Sequence, residues 1–259
     1  MSHVLYEKKG SIAYITLDRP PLNVIDLDMV KILHDIWEDF RDDDNLWVAV
    51  LSGAGNNFSA GFDIREFLRM TENGFEWKHS VMFGGKSCSP GTHSVWKPII
   101  GALDGVVNGT GLWIALECDL RIATKDAVLG LGEVKLNVPA EFAGLLTRHM
   151  PQAIANELLL TGKGIAAERA FNCGLINAIV SREQLLSEAT SLANSLCENG
   201  PVAMKAVKKV VALGHDLDRN SVLALSESVF MPVVNSEDTK EAFRAFLAKR
   251  KPQWKGKQD

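Results

Sequence analysis

Residues 98–123, PIIGALDGVVNGTGLWIALECDLRIA, carry the clearest chemical arrangement in the chain. A short apolar segment (Ile99, Ile100, Ala102, Leu103) meets glycines at 105, 109 and 111, then an apolar run of helical length. The pattern predicts a strand, a glycine-rich turn and a helix. The first turn of a helix leaves backbone N–H groups without internal partners and carries partial positive charge. An oxygen that gains negative charge is stabilised there. Two phosphate-binding uses of such a turn fit poorly. Leu112, Trp113 and Ile114 follow Gly109-Thr110-Gly111 with no third glycine in place, and the turn has no lysine to complete GxxxxGK[ST].

A second stretch has the same design. Residues 46–52 (LWVAVLS) form an apolar β-type run, and Gly53-Ala54-Gly55-Asn56-Asn57 has turn chemistry. Phe58-Ser59-Ala60-Gly61-Phe62-Asp63-Ile64 then leads into IREFLRM, which has helical spacing. Two such turns brought together would supply two amides to one oxygen, which is an oxyanion hole. The plainer alternative is a pair of tight turns in which glycine is needed only for positive φ.

The elements that must hold these turns read as α/β at first and helical at the end. Strand-like runs at 4–7, 12–18, 47–52, 99–103 and 120–123 alternate with amphipathic segments at 27–41 and 64–70. Residues 72–92 have little periodicity and read as a loop or mobile helix lining a pocket. After Gly200-Pro201, residues 202–213, 220–230 and 237–249 have helical character.

The 259 residues, 46% hydrophobic and 23% charged, suffice for one large domain or two small ones. A net charge of −4 argues against nucleic-acid or anionic-membrane binding. The N-terminus MSHVLYEKKGS lacks the apolar core of a secretory signal, and no uncharged apolar run approaches membrane-spanning length, so a soluble, cytoplasmic location is expected. The four cysteines (88, 118, 173, 197) form no CxxC pair, and the six histidines show no HExxH spacing. Buried or incidental thiols and no metal site are the expectation. His93 and His149 are the histidines placed to approach a pocket.

Six segments taken in order resemble a family: ITLDRPPLNVID, NNFSAGFDIREF, VNGTGLWIALECDLRIAT, LGLGEVKLNVPAEFAG, LLLTGKGIAAERAFNCGLINAIV and KEAFRAFLAKRKPQW. The chain is similar over nearly its whole length to the crotonase superfamily, the enoyl-CoA hydratase/isomerase family. The resemblance implies an α/β fold, a crotonase-like spiral of ββα units over 1–200 with a C-terminal helical trimerisation region over 201–259. It implies a homotrimer or dimer of trimers, an acyl-CoA substrate, and no cofactor beyond the coenzyme A of that substrate.

The resemblance also implies roles position by position. The thioester oxygen would sit between the amides of Phe62, after the glycine of AGxD, and Thr110, in the middle of the GGG motif. Phe62 brings a large ring, and Thr110 replaces a glycine and narrows the approach. The family's hydratases use two glutamates. Trp113 stands where the first belongs, and an indole can neither activate water nor donate a carboxyl proton. The second is present as Glu133 in GLGEVKL, among Leu129, Leu131, Val134 and Leu136. Its alternative reading is a solvated glutamate at a strand end.

Eight residues on, Glu141 in VPAEFAG falls near a position where related isomerases and hydrolases place a functional aspartate. Its rival reading is an N-terminal carboxylate favouring the dipole of an FAGLLTRHM helix. Glu117 and Asp119 read as structural or polar-face residues. Similarity places Ala60 at the adenine side of coenzyme A, Arg65 near its phosphates, and Phe246 with Lys249 on the last helix, reaching a neighbouring subunit's ligand. The run Lys249-Arg250-Lys251 also reads as an ordinary cationic helix end.

Three functions follow. The first is proton transfer through a thioester enolate with Glu133 as base or acid, either double-bond isomerisation, which can run on one carboxylate, or hydration with Glu141 as the second. Another is hydrolysis of a C–C bond or thioester using Glu141. A third is a non-catalytic binding protein on the same fold, suggested by Trp113 with Thr110. Trp77, Phe83, Trp96 and Trp113 hint at a bulky or cyclic acyl pocket, although aromatic residues also fill cores.

Overall fold

The computed structural model describes residues 3–74, 87–140 and 142–257. A six-stranded sheet runs in the order β1 (Val4–Lys9), β2 (Ile12–Leu17), β3 (Val48–Gly53), β4 (Ile99–Leu103), β6 (Leu120–Thr124), β9 (Ala178–Val180). β1 and β2 form an antiparallel pair and the later neighbours are parallel. A smaller sheet orders β5 (Val106–Asn108), β7 (Val128–Gly130) and β8 (Ile165–Ala166).

Strand periodicity divides the core in two. On β3, Ala49 and Leu51 face one cluster while Val48 and Val50 face another, and on β4 Ile99 and Leu103 are opposed to Ile100 and Ala102 in the same way. Both faces of these strands are buried, so they read as unbroken apolar runs. The first cluster is closed by α1 (Leu27–Asp42), which buries Met29, Val30, Leu33, Ile36, Trp37 and Phe40 along one stripe. Asp26 caps that helix, its Oδ1 accepting from Met29 N–H at 2.8 Å. The second cluster is closed by α6 (Leu185–Cys197) through Leu185, Ala189 and Ala193.

The remaining helices are α2 (Ile64–Glu72), α3 (Thr110–Leu116), α4 (Gln152–Thr161), α5 (Ala167–Asn172), α7 (Pro201–Gly214), α8 (Arg219–Val234) and α9 (Glu237–Leu247). Among the described residues no helix is long and apolar enough to cross a membrane.

Three details depart from the sequence reading, and a fourth falls mostly outside the described residues. A short strand, β5, intervenes between Gly105 and Gly109, and the helix after it has seven residues. The FAGLLTRHM segment forms a 3-10 helix at Ala143–Arg148, with Leu146 its buried residue. Residues 72–92 are described only at their ends, where Gly91–His93 makes one 3-10 turn. The final helix stops at Leu247, and Lys249 adopts φ 52 beyond its end.

Candidate active site

The two glycine turns meet in space. Ser59 N–H donates to Val106 O (3.0 Å) and Asn108 N–H to Ser59 O (2.9 Å), which lays residues 58–60 beside β5. The approach is too close for side chains. A Cβ at Gly111 would come within 2.7 Å of Ser59 Cβ, and one at Gly61, whose φ is +97, within 2.9 Å of Asn108 O and 3.2 Å of Thr110 N. Asn23, fully buried, ties the first turn down by donating to Ala54 O (3.0 Å) and Asn57 O (2.7 Å).

Phe62 pairs with Ile25 in an isolated parallel bridge that uses Gly61 O (2.8 Å from Ile25 N) and Asp63 N (2.8 Å from Ile25 O). In that pattern the Phe62 amide points to the side away from Ile25. Thr110 opens α3 after Gly109, whose φ is 56, so its N–H has no acceptor within the helix. With seven residues the helix contributes little dipole, and the donor is the amide itself.

Both residues line a cavity of about 480 Å³. Its walls are mostly apolar: Ile64, Phe67 and Leu68 of α2, Trp113 of α3, and Leu136, Val138 and Phe142 from the segment after β7. A depression of 590 Å³ along α6 is wider, but it is open surface and shares no residue with the turns.

Glu133 is the carboxylate of this cavity among the described residues. It opens a 3-10 helix, Glu133–Leu136, rather than ending a strand. A Cβ at Gly109 would lie 2.9 Å from Glu133 Oε1, so the carboxyl sits directly over the turn. Its Oε2 is buried with no hydrogen-bond partner, and burial pushes its pKa above the usual glutamate range. Leu129 and Leu131 are buried as anticipated, but Val134 and Leu136 are 45% and 56% exposed, because a 3-10 turn spreads neighbouring side chains around its axis.

Trp113 carries the largest ring in the cavity wall. It stacks on Phe142 with centroids 5.4 Å apart and planes 14° off parallel, and donates from Nε1 to Glu117 Oε1 at 3.0 Å. Glu117 also accepts from Gly91 N–H (2.8 Å) and from the Ser89 hydroxyl. Burial pushes its carboxyl up, opposed by the Gly91 and Trp113 N–H donors and by the charge of Lys208. Asp119 Oδ2 accepts from Ile99 N–H (2.8 Å), the structural use the sequence suggested.

The other anticipated residues separate. Ala60 lines the cavity. Arg65 is exposed on the first turn of α2, and neither it nor Phe246 nor Lys249 lines the cavity. His93 and His149 do not reach it either. His93 is buried against His34 (Nε2 to Nδ1 2.7 Å), and burial pushes His149 down to about 4. Trp96 is absent from the lining, while Glu141, Trp77 and Phe83 fall outside the described residues. The sequence reading missed Asn23, Asn108 and the Glu117 contacts; their polar side chains in turns and at a helix end were the available signal. All four cysteines are unpaired, and Cys88 and Cys118 are buried, each pushed up to about 12 by desolvation. Among the described residues no group of three or more His, Cys, Asp or Glu side chains is placed to hold a metal ion.

Comparison with known proteins places the chain in a family. The family described as enoyl-CoA hydratase/isomerase matches residues 7–257. An (E)-benzylidenesuccinyl-CoA hydratase of Thauera aromatica is 37% identical over 98% of this chain and 99% of its own length. A short-chain-enoyl-CoA hydratase of Clostridium acetobutylicum is 33% identical over 97% of both chains. The crystal structure of an enoyl-CoA hydratase from Mycobacterium tuberculosis H37Rv superposes with a TM-score of 0.89, at 33% identity, covering 98% of this chain and 99% of the other. The chain therefore belongs to the enoyl-CoA hydratase/isomerase family and is an acyl-CoA enzyme of that family.

Proposed function

We propose that the enzyme moves a proton along the acyl chain of a coenzyme A thioester through an enolate, and that its reaction is double-bond isomerisation. The thioester oxygen accepts from the Phe62 and Thr110 amides, and Glu133 is the base. Glu133 takes a proton from the α-carbon of a 3-enoyl thioester, the C–H electron pair delocalises onto the oxygen, and the proton returns at the γ-carbon to give the 2-enoyl product. No water, electron or second carboxylate is consumed, so no redox group is required. The observation that carries this reading is the partly buried, raised-pKa Glu133 carboxyl lying over Gly109, in the cavity that Phe62, Thr110 and the apolar wall also line.

The test is incubation of the pure protein with a 3-enoyl-CoA and with crotonyl-CoA in deuterated water. Deuterium entering the acyl chain with conversion to the 2-enoyl ester supports the reading; addition of water to crotonyl-CoA as the faster reaction overturns isomerisation. Hydration is the second reading, favoured by the names of the Thauera and Clostridium relatives, and it needs another acid or base, for which Glu141 is the candidate.

In the same proposal coenzyme A lies with its adenine side near Ala60 and its phosphates toward Arg65. The chain assembles as a homotrimer or a dimer of trimers that brings Phe246 and Lys249 to a neighbouring ligand. The 81% exposure of both Phe246 and Leu247 on α9 supports burial in such an assembly. Sedimentation velocity checks it. A cytoplasmic location fits four unpaired thiols.

A further inference from the structure

Glu117 holds the indole from behind. It lies one helical turn after Trp113, so the two side chains fall on one face of α3, and Oε1 accepts the Nε1–H at 3.0 Å. The other oxygen is occupied by Gly91 N–H at 2.8 Å and by the Ser89 hydroxyl, which ties the carboxyl to the loop preceding β4. Glu117 does not itself line the cavity. The indole is thereby fixed twice, by a hydrogen bond at its edge and by the Phe142 ring stacked 5.4 Å away at 14°. A second aromatic pair in the wall, Phe62 with Phe67, meets edge to face at 6.4 Å and 75°.

A flat wall whose orientation is set before binding favours a planar ring over a flexible or puckered group of equal size. Aromatic pairs gain from offset-stacked or edge-to-face contact beyond the area they bury, and a locked side chain loses no further freedom when the ligand arrives. A carboxylate kept out of water is retained where its acceptors have a fixed task, and here that task is the indole and the loop.

We propose that Glu117 is a positioning residue that locks Trp113 as the wall of the acyl pocket, and that the site selects thioesters whose acyl group carries a planar aromatic ring. This rests on the acyl-CoA reading of the cavity.

The test uses two unreactive esters of matched size, 3-phenylpropanoyl-CoA and 3-cyclohexylpropanoyl-CoA, with calorimetric dissociation constants for the full chain. The phenyl ester is expected to bind roughly three- to tenfold more tightly. Trp113→Leu and Glu117→Leu are expected to bring the ratio to about one, while Glu117→Gln, which keeps an acceptor for the indole, retains it. A variant that only loosened the fold would weaken both esters alike. Should the melting curve show that Glu117→Leu does not fold, Trp113→Phe supplies the reading: it keeps a ring but deletes the N–H that Glu117 holds, and the ratio is expected to fall about threefold. Equal binding of the two esters by the wild type overturns the ring selectivity and leaves the acyl-CoA reading standing. An unchanged ratio in Glu117→Leu or Trp113→Phe overturns the clamp. Failure of both esters and of crotonyl-CoA to bind overturns the acyl-CoA reading and this inference with it.

Discussion

Glu133 and Gly109 are in contact across two separate segments: the Glu133 carboxyl oxygen Oε1 occupies the space a side chain at position 109 would need, 2.9 Å from where its Cβ would stand. The glycine therefore does two things, turning the chain at φ 56 into α3 and leaving room for an acid beside the Thr110 amide. An acid placed there, with one oxygen buried and unpaired, costs the fold desolvation free energy, which is what the proposed proton transfer would use.

On the proposed mechanism, Glu133→Gln removes the base without altering shape. Deuterium incorporation from solvent into a bound acyl thioester is expected to fall by about 10²- to 10⁴-fold, the usual contribution of a positioned acid–base group. Incorporation at the wild-type rate, followed by mass spectrometry, would show that another group carries the proton.

The same residue dictates a pH dependence. Burial raises the Glu133 pKa, so the active carboxylate form accumulates above the usual glutamate range and the exchange rate is expected to rise with pH to a midpoint higher than for an exposed glutamate. For stability the sign is opposite. A raised folded-state pKa means that folding is disfavoured as pH climbs from the unfolded value through the folded one, and the full penalty persists above both. Glu133→Gln is thus expected to melt higher than the wild type at about pH 8, with the difference closing toward about pH 4. Calorimetric scans at both values check it, and a lower melting point at the alkaline end contradicts it.

Gly61→Ala is expected to cost about 1–3 kcal/mol, since its φ of +97 is strained for any side chain and the new methyl would press on Asn108 O. The methyl also pushes the Phe62 turn away from Thr110, so exchange should fall even in protein that denaturant titration shows to be folded. Wild-type exchange in a destabilised variant would separate the turn from the chemistry.

Asn23→Ala strands the carbonyls of Ala54 and Asn57 without their buried donor, and is expected to cost about 2–3 kcal/mol. Urea midpoints measure this. A loss under about 0.5 kcal/mol, the range of surface substitutions, would mean that water replaces the amide.

Much of this protein was legible before its fold. The apolar runs of β3 and β4, the stripe of α1 and the glycines at 61, 109 and 111 are local patterns, because periodicity and positive φ depend on near neighbours. The ordered segments carried the family, and they picked out Phe62 and Thr110, which line one cavity. Short elements escaped: β5 has three residues and the turn at Glu133 four, too few to establish a period. Tertiary structure alone decided which side chains touch. That Trp113 is held by Glu117, itself anchored to Gly91 a full 26 residues earlier, and that Glu133 reaches over Gly109, follow from chain segments packed together after their local forms are set. Hydrogen bonding and desolvation act through space, and spacing along the chain does not encode them.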